Sequence, residues 1–200
     1  AGPNARRCLE KVIDIDLSNE AFPFMAAGPC RLSMPGDAPT IPGRLFRISF
    51  SGELAYELNV PADFGRAAWE RLMEAGAEFD ITPYGMEALG NMRIEKGHVA
   101  GPELDGRTTA DDLGLGKMMS SKKDFIGAKL ARREDLVRAD RKQVVGLVPV
   151  DGKTRLRQGA QLVAMDAPPF AGSLAAQDKG GDRPIAMLCH VTAPGYSPEV

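Results

Sequence analysis

The chain has 200 residues, of which 44% are apolar, so it can form one medium domain or two small ones around a buried core. Its net charge of −2 and its isoelectric point of about 5.8 exclude the basic excess typical of nucleic-acid-binding domains. Nucleic acid is therefore not an expected partner. No run of 18 apolar residues is present, so a membrane is not an expected partner either.

Cysteines and histidines give no sign of a disulfide framework or a metal centre. Cys8, Cys30 and Cys189 are odd in number and far apart, and they form no Cys-x-x-Cys pair. His98 and His190 have no partner at ligand spacing, so no metal-ligating residue is expected. The cysteines predict reduced, mostly structural thiols in a cytoplasmic protein.

The first predicted element is a short helix over residues 4–13, beginning at Asn4. Three carboxylates follow at Asp14, Asp16 and Glu20, which raises the alternative of a cation site. The spacing and the glycine of an EF-hand are absent, so local capping is the favoured interpretation.

A β-hairpin is predicted next, because the apolar residues between positions 46 and 60 share one parity. They are Phe46, Ile48, Phe50, Leu54, Tyr56, Leu58 and Val60. Keeping both sets on one face requires a three-residue loop at 51–53, with Phe50 opposite Leu54. The same register places Arg47 opposite Glu57.

Two helices are predicted after the hairpin. The first has an apolar stripe and a glycine stop at Gly76, and its stripe consists of Phe64, Ala68, Leu72 and Met73. The second is predicted to begin at Thr82 and Pro83 and to end at Gly97. Its inner face is expected to consist of Met86, Leu89 and Met92.

The residue composition changes twice in the rest of the chain. Residues 108–112 place hydroxyls before acids and predict a capped turn near Leu113. Residues 122–142 carry eight lysines and arginines against four acidic residues, which favours a solvated, partly helical connector over a contact with an anionic ligand or a neighbouring subunit. From position 143, short apolar runs predict a small antiparallel β-domain, the runs being 144–148, 162–165 and 185–188.

Several segments resemble the folate-binding aminomethyltransferase family. RISFSGELAYELNVP and PYGMEALGNMRIEKG carry the resemblance, and GPNARRCLEKVIDIDLSNEAFPFM, TTADDLGLGKMMSSKKDFIG and HVTAPGYSP extend it over nearly the whole chain. The family includes glycine cleavage T-proteins, dimethylglycine oxidases and dehydrogenases, and the C-terminal half of sarcosine oxidase alpha subunits. SFSGELAYELNVP, EKGH and KKDFIG are most similar to that last branch.

The resemblance implies an α+β fold. Residues 1–121 would be part of the folate-binding domain with its antiparallel sheet, and 122–142 would be the basic connector. Residues 143–200 would form a small C-terminal β-barrel that lacks its last strands. The chain is therefore expected to be an internal piece of a longer polypeptide.

Three cofactor-binding residues follow from the resemblance. Glu57 matches the family's Gly-Glu-x-x-Tyr-Glu position, whose glutamate accepts two adjacent pterin donors. The alternative for Glu57 is an ion pair with Arg47 across a solvated face. Tyr56 and Arg93 are weaker candidates, because core packing explains Tyr56 and a helix C-terminus favours the cation Arg93 in any case.

Some family features are absent or altered. Leu89 stands where some T-proteins carry an arginine, and His98 stands where members devoted to iron–sulfur cluster assembly carry a cysteine. The family's catalytic acid would lie upstream of Ala1, so no catalytic residue is expected in this chain. No Gly-x-Gly-x-x-Gly motif opens a helix after a strand, so FAD, FMN and NAD are expected only in the complete enzyme.

The resemblance implies tetrahydrofolate binding and methylene transfer during the conversion of sarcosine to glycine, with other sarcosine oxidase subunits as partners. One alternative is a glycine cleavage T-protein. Another is a non-catalytic docking scaffold with a vestigial folate pocket. A buried carboxylate at Glu57 would argue against the scaffold, which has no need of one.

Overall fold

A computed structural model of the chain describes residues 1–166 and 186–197, which form parts of two compact units, 1–98 and 99–200. The first unit contains α1 (Ala5–Glu10), β1 (Ala27–Leu32), β2 (Ile41–Phe46), β3 (Glu57–Asn59), α2 (Gly65–Gly76) and α3 (Met86–Glu95). The second contains β4 (Gln161–Val163) and β5 (Met187–His190). The predicted α+β class is confirmed, whereas the barrel and the domain boundaries at 121 and 142 stay predictions.

The first unit is organised around an antiparallel sheet in the order β1-β2-β3. Its buried face carries Cys30, Leu32, Ile41 and Leu45, and both Leu32 and Leu45 are 0% exposed. This face packs with residues of α1 and α2 in one apolar core. β1 was not anticipated from the sequence, because its glycine and proline are poor strand formers.

The predicted hairpin register is wrong. β2 and β3 pair with Leu45 opposite Leu58 and Phe46 opposite Glu57, and residues 47–56 connect them in place of a three-residue loop. The physical reason is parity: β2 begins at Ile41 and buries odd positions, so odd-numbered Leu45 must align with even-numbered Leu58.

The two predicted helices after the hairpin are present, with corrections at their ends. α2 stops at Gly76, but Gly76 has a right-handed φ of −87°, and the left-handed residue is Asp80 with φ 54°. A Cβ on Gly76 would lie 2.7 Å from Ile81, so close approach explains this glycine. Gly85 is the N-cap of α3, which therefore begins about one turn after the predicted Thr82 and Pro83.

The C-terminal end of α3 confirms the predicted stop at Gly97, which has a left-handed φ of 73°. The predicted inner face of this helix is wrong at Met86, which is 80% exposed, while Leu89 and Met92 are partly buried. The buried residue of α3 is Arg93, whose Nη1 donates to the His98 carbonyl in the turn that follows the helix.

In the second unit, β4 and β5 pair antiparallel. The predicted capped turn is confirmed, since Thr109 N–H donates to Asp112 at 2.8 Å and Asp112 N–H donates to the Thr109 hydroxyl at 3.2 Å. The apolar run 144–148 forms no strand, and Val145 and Val148 are 65% and 69% exposed. Ile185, the first residue of the last predicted run, lies outside the described residues.

Candidate functional site

Glu57 is the first residue of β3 and lies on the sheet face opposite to the core. Its carboxylate is exposed, and among the residues that the structure describes it accepts no hydrogen bond and forms no ion pair. Arg47, its partner in the alternative interpretation, donates from Nη1 to the Phe22 carbonyl at 2.8 Å. That alternative ion pair is therefore not formed, and Glu57 keeps its acceptor oxygens accessible.

Tyr56 precedes Glu57 and is partly buried against the core. Its hydroxyl accepts a hydrogen bond from Arg6 Nε at 3.2 Å, and this bond raises the pKa of the Arg6 guanidinium above its usual value. Arg6 also donates to the Asn19 side chain at 2.6 Å. Sequence reasoning gave Arg6 no role, although it belongs to the GPNARR segment on which the family resemblance partly rests.

A cavity of about 730 Å³ lies beside Tyr56 within the first unit. Residues of α1 and α2 and the segment 79–84 line it, and they include the aromatic residues Trp69, Phe79 and Tyr84. Neither Glu57 nor Arg93 is among the lining residues. Tyr56 and Glu57 are thus neighbours in the chain, yet the first borders a cavity and the second an open surface.

Arg93 is 8% exposed, so it is a largely buried cation near the end of α3. Its Nη1 donates to the His98 carbonyl at 3.2 Å, and the negative end of the helix dipole favours its charge. In this arrangement, Arg93 contributes to the turn that closes α3. Helical spacing places Arg93 on the predicted inner face, four residues after Leu89, but a charged side chain is not expected to be buried there.

The end of α3 also contacts the connection between β2 and β3. Lys96 Nζ donates to the Ser49 carbonyl at 2.7 Å, and the rings of Phe50 and His98 meet edge to face with centroids 4.9 Å apart. Gly52 N–H donates to the Ser49 hydroxyl at 2.9 Å. These contacts fix the beginning of the connection whose far end leads to Tyr56 and Glu57.

The described residues include no cluster of three histidine, cysteine or acidic side chains arranged to hold a metal ion. Cys8 and Cys30 are buried free thiols, and burial raises the pKa of each. In the part of the chain that the structure describes, no helix combines the length and apolar character needed to cross a bilayer.

Comparisons with known proteins place these features in a family. A family model of the GCVT N-terminal domain matches residues 1–123. The whole chain is 46% identical to a sarcosine oxidase subunit alpha of Rhizobium meliloti, and it covers 19% of that protein. A sarcosine oxidase subunit alpha of Corynebacterium is 45% identical over 83% of the chain, which covers 17% of that relative.

A more distant relative matches a smaller share of the chain. An aminomethyltransferase of Halothermothrix orenii is 33% identical over 64% of the chain, which covers 34% of that protein. The chain thus spans about a fifth of the length of its sarcosine oxidase relatives. The family match extends over more than half of the chain and agrees with the mixed helix and antiparallel-sheet fold. The chain therefore belongs to the GCVT N-terminal domain family.

Proposed function

We propose that this chain is the tetrahydrofolate-binding part of an enzyme similar to the sarcosine oxidase alpha subunit, with Glu57 as the acceptor for the pterin ring. The observation that supports this most directly is that the Glu57 carboxylate has no intramolecular partner among the described residues, so both of its oxygens can accept donors from a ligand. Identity of 46% over the whole chain to a sarcosine oxidase subunit alpha supports the choice of branch.

The chemistry of Glu57 fits the proposed ligand. A pterin presents a ring N–H and an exocyclic amino group side by side, and a carboxylate accepts such a pair with both oxygens. Tyr56, held by Arg6, borders the cavity and not the open surface of Glu57, so it enters the proposal as a weaker candidate. Arg93 enters the proposal as a weaker candidate, because its described hydrogen bond goes to the His98 carbonyl.

In the complete enzyme, tetrahydrofolate would supply the amine that captures the one-carbon unit released when sarcosine becomes glycine. This chain would bind and orient that acceptor and help to keep water from it. FAD, FMN and NAD would be bound outside this chain, and the other sarcosine oxidase subunits would be its partners in a cytoplasmic assembly.

The two alternatives differ in their support. Identity to the aminomethyltransferase is 33% over part of the chain, which makes the T-protein alternative weaker than the sarcosine oxidase branch. The docking scaffold is favoured by one observation: Glu57 is exposed, where a preformed pterin pocket would bury it. A binding experiment separates the scaffold from the proposal.

The test is Glu57→Gln in the complete enzyme that contains this chain. The substitution keeps the shape but directs an amide donor at a pterin donor, so tetrahydrofolate affinity should fall about thirty- to a hundredfold, or about 2–3 kcal/mol. Titration calorimetry on the wild type and the variant measures the loss. Glu87→Gln, an exposed glutamate on α3, is the matched control and should leave the affinity unchanged.

Arg47→Ala is the companion variant. It removes the hydrogen bond to the Phe22 carbonyl, so it should lower the free energy of unfolding by about 1 kcal/mol without changing folate affinity. Unchanged folate affinity in Glu57→Gln would remove Glu57 from the site. Failure of the wild-type enzyme to bind tetrahydrofolate would instead favour the scaffold.

A further inference from the structure

The Glu-Lys-Gly-His segment at the end of α3, residues 95–98, takes no part in the proposed folate contact. Yet two of its side chains touch the β2–β3 connection, residues 47–56. Lys96 donates to the Ser49 carbonyl at 2.7 Å, and His98 meets Phe50 edge to face at 4.9 Å and an interplanar angle of 75°. One contact fixes the backbone of the connection, and the other fixes an aromatic side chain.

Gly52 shows how closely Lys96 covers the connection. This glycine has a left-handed φ of 94°, and a Cβ at its position would lie 3.3 Å from Lys96 Cδ. Lys96 therefore contributes both a charged donor and an aliphatic stem to the same turn. Nearer Tyr56, Gly2 N–H donates to the Leu54 carbonyl at 2.9 Å.

The orientation of the Glu57 side chain depends on this connection because β3 is short. β3 consists of three residues, and Glu57 is the first of them. Its backbone pairs with Phe46 of β2, and the connection directly precedes it in the chain. A connection free to sample many conformations would have to be ordered upon ligand binding, and that ordering would weaken affinity.

We propose that Lys96 and His98 are positioning residues for the folate contact, holding the β2–β3 connection against the end of α3 so that Tyr56 and Glu57 are presented in the binding geometry. This inference rests on the proposed function. It gives a physical role to His98, the residue that distinguishes this chain from the cysteine-bearing branch of the family.

The test uses Lys96→Met in the complete enzyme, with tetrahydrofolate as the probe. Methionine keeps the length of the side chain and removes the ammonium donor, so folate affinity should weaken about three- to tenfold. The thermal midpoint should change by less than about 2 °C. Lys96→Arg retains a cationic donor and should restore the affinity, while Lys117→Met, at an exposed lysine without a described bond, should leave it unchanged.

A second measurement is independent of folate. Amide hydrogen exchange of residues 47–56 in the folate-free enzyme should be faster in Lys96→Met than in the wild type, and unaltered in Lys117→Met. His98→Leu should act in the same direction, whereas His98→Phe keeps an aromatic ring against Phe50 and should behave like the wild type.

The two measurements separate the possible outcomes. Faster exchange together with weaker folate binding supports the positioning role. Unchanged exchange in Lys96→Met overturns it. Faster exchange with unchanged affinity also overturns it, and if Glu57→Gln still weakens binding, the proposed function stands. Absence of folate binding in the wild type removes the proposed function and the positioning role together.

Discussion

Each unit of the chain is stabilised internally by a different kind of contact. In the first, residues 1–98, an apolar core joins the buried face of the sheet to α1 and α2, and Leu32 and Leu45 are fully buried. Among the described residues of the second, 99–200, the buried apolar residues are Leu113 and Val191, and Asp112 is buried as well. The first unit depends on hydrophobic burial, and the described part of the second depends more on charged hydrogen bonds.

The described part of the second unit contains a charged pair of Asp112 and Arg141. Arg141 Nε donates to both carboxylate oxygens of Asp112, at 3.0 and 3.1 Å, and its Nη2 donates to the Arg107 carbonyl at 3.0 Å. Asp112 N–H and Thr109 complete the capped turn. Distant segments are thus joined by one guanidinium, which no apolar periodicity could reveal.

The largest expected effect tests the apolar core. Leu45→Ala removes a fully buried side chain from the sheet and should lower the free energy of unfolding of the first unit by about 2–5 kcal/mol. Leu130→Ala, at a leucine that is 53% exposed, is the matched control and should cost less than about 0.5 kcal/mol. Chemical denaturation measures both, and equal losses would contradict the contrast.

The next effect tests the charged pair. Arg141→Met should destabilise the second unit by about 1–3 kcal/mol, because it leaves the buried Asp112 carboxylate without its cation. The hydrogen bond from Arg141 lowers the pKa of Asp112 from 3.8 to about 2. Because the pKa of Asp112 is lower in the folded chain than in the unfolded chain, the ionised carboxylate stabilises the fold at pH values above the unfolded pKa. This stabilisation is lost as pH falls from about 4 towards about 2.

That pH dependence gives the charged-pair variant its own control. The difference in unfolding free energy between the wild type and Arg141→Met should be full at neutral pH and should shrink across that acidic window. Denaturation curves at several pH values follow it. A difference that persists unchanged at the acidic end would mean that packing of the arginine stem, and not its charge, stabilises the unit.

The smallest effect concerns the close approach at the end of α2. Gly76→Ala places a Cβ 2.7 Å from Ile81 and should cost about 1–2 kcal/mol through local overpacking. Gly85→Ala is the control, because an added Cβ there meets nothing within 4 Å. It should lower the free energy of unfolding by at most a few tenths of a kcal/mol. Thermal unfolding distinguishes the two, and a left-handed requirement at Gly76 is already excluded by its φ of −87°.

The elements predicted best are those with local signals. α1 begins near Asn4 and α2 follows its apolar stripe, because helical spacing and turn residues act within a few positions. The prediction of the strand register was wrong because the register depends on a third strand, β1. The sequence does not indicate β1, since Gly28 and Pro29 are poor strand formers. Register in a sheet is a property of all the strands that share a face.

The candidate site divides in the same way. Tyr56 could be predicted to pack against the core with a satisfied hydroxyl, since it lies at an apolar position. The exposure of Glu57 agrees with its odd position between Tyr56 and Leu58, but its lack of a partner depends on the strand register. The burial of Arg93 could not be predicted, because it depends on contacts made after the end of α3. The predicted pairing of Glu57 with Arg47 was wrong because the register shifted by one residue.

The two edges of the three-stranded sheet differ in their capacity to accept another strand. On the outer side of β1, the Asp14 carboxylate accepts a hydrogen bond from the Arg31 N–H at 2.6 Å, and the Asp14 N–H donates to the Arg31 carbonyl at 3.3 Å. Pro29, on the same strand, has no N–H donor. Within the described part of the chain, the outer edge of β3 carries no such cover. Any segment that extends this sheet by β-augmentation is therefore directed to β3, and it would run alongside Glu57.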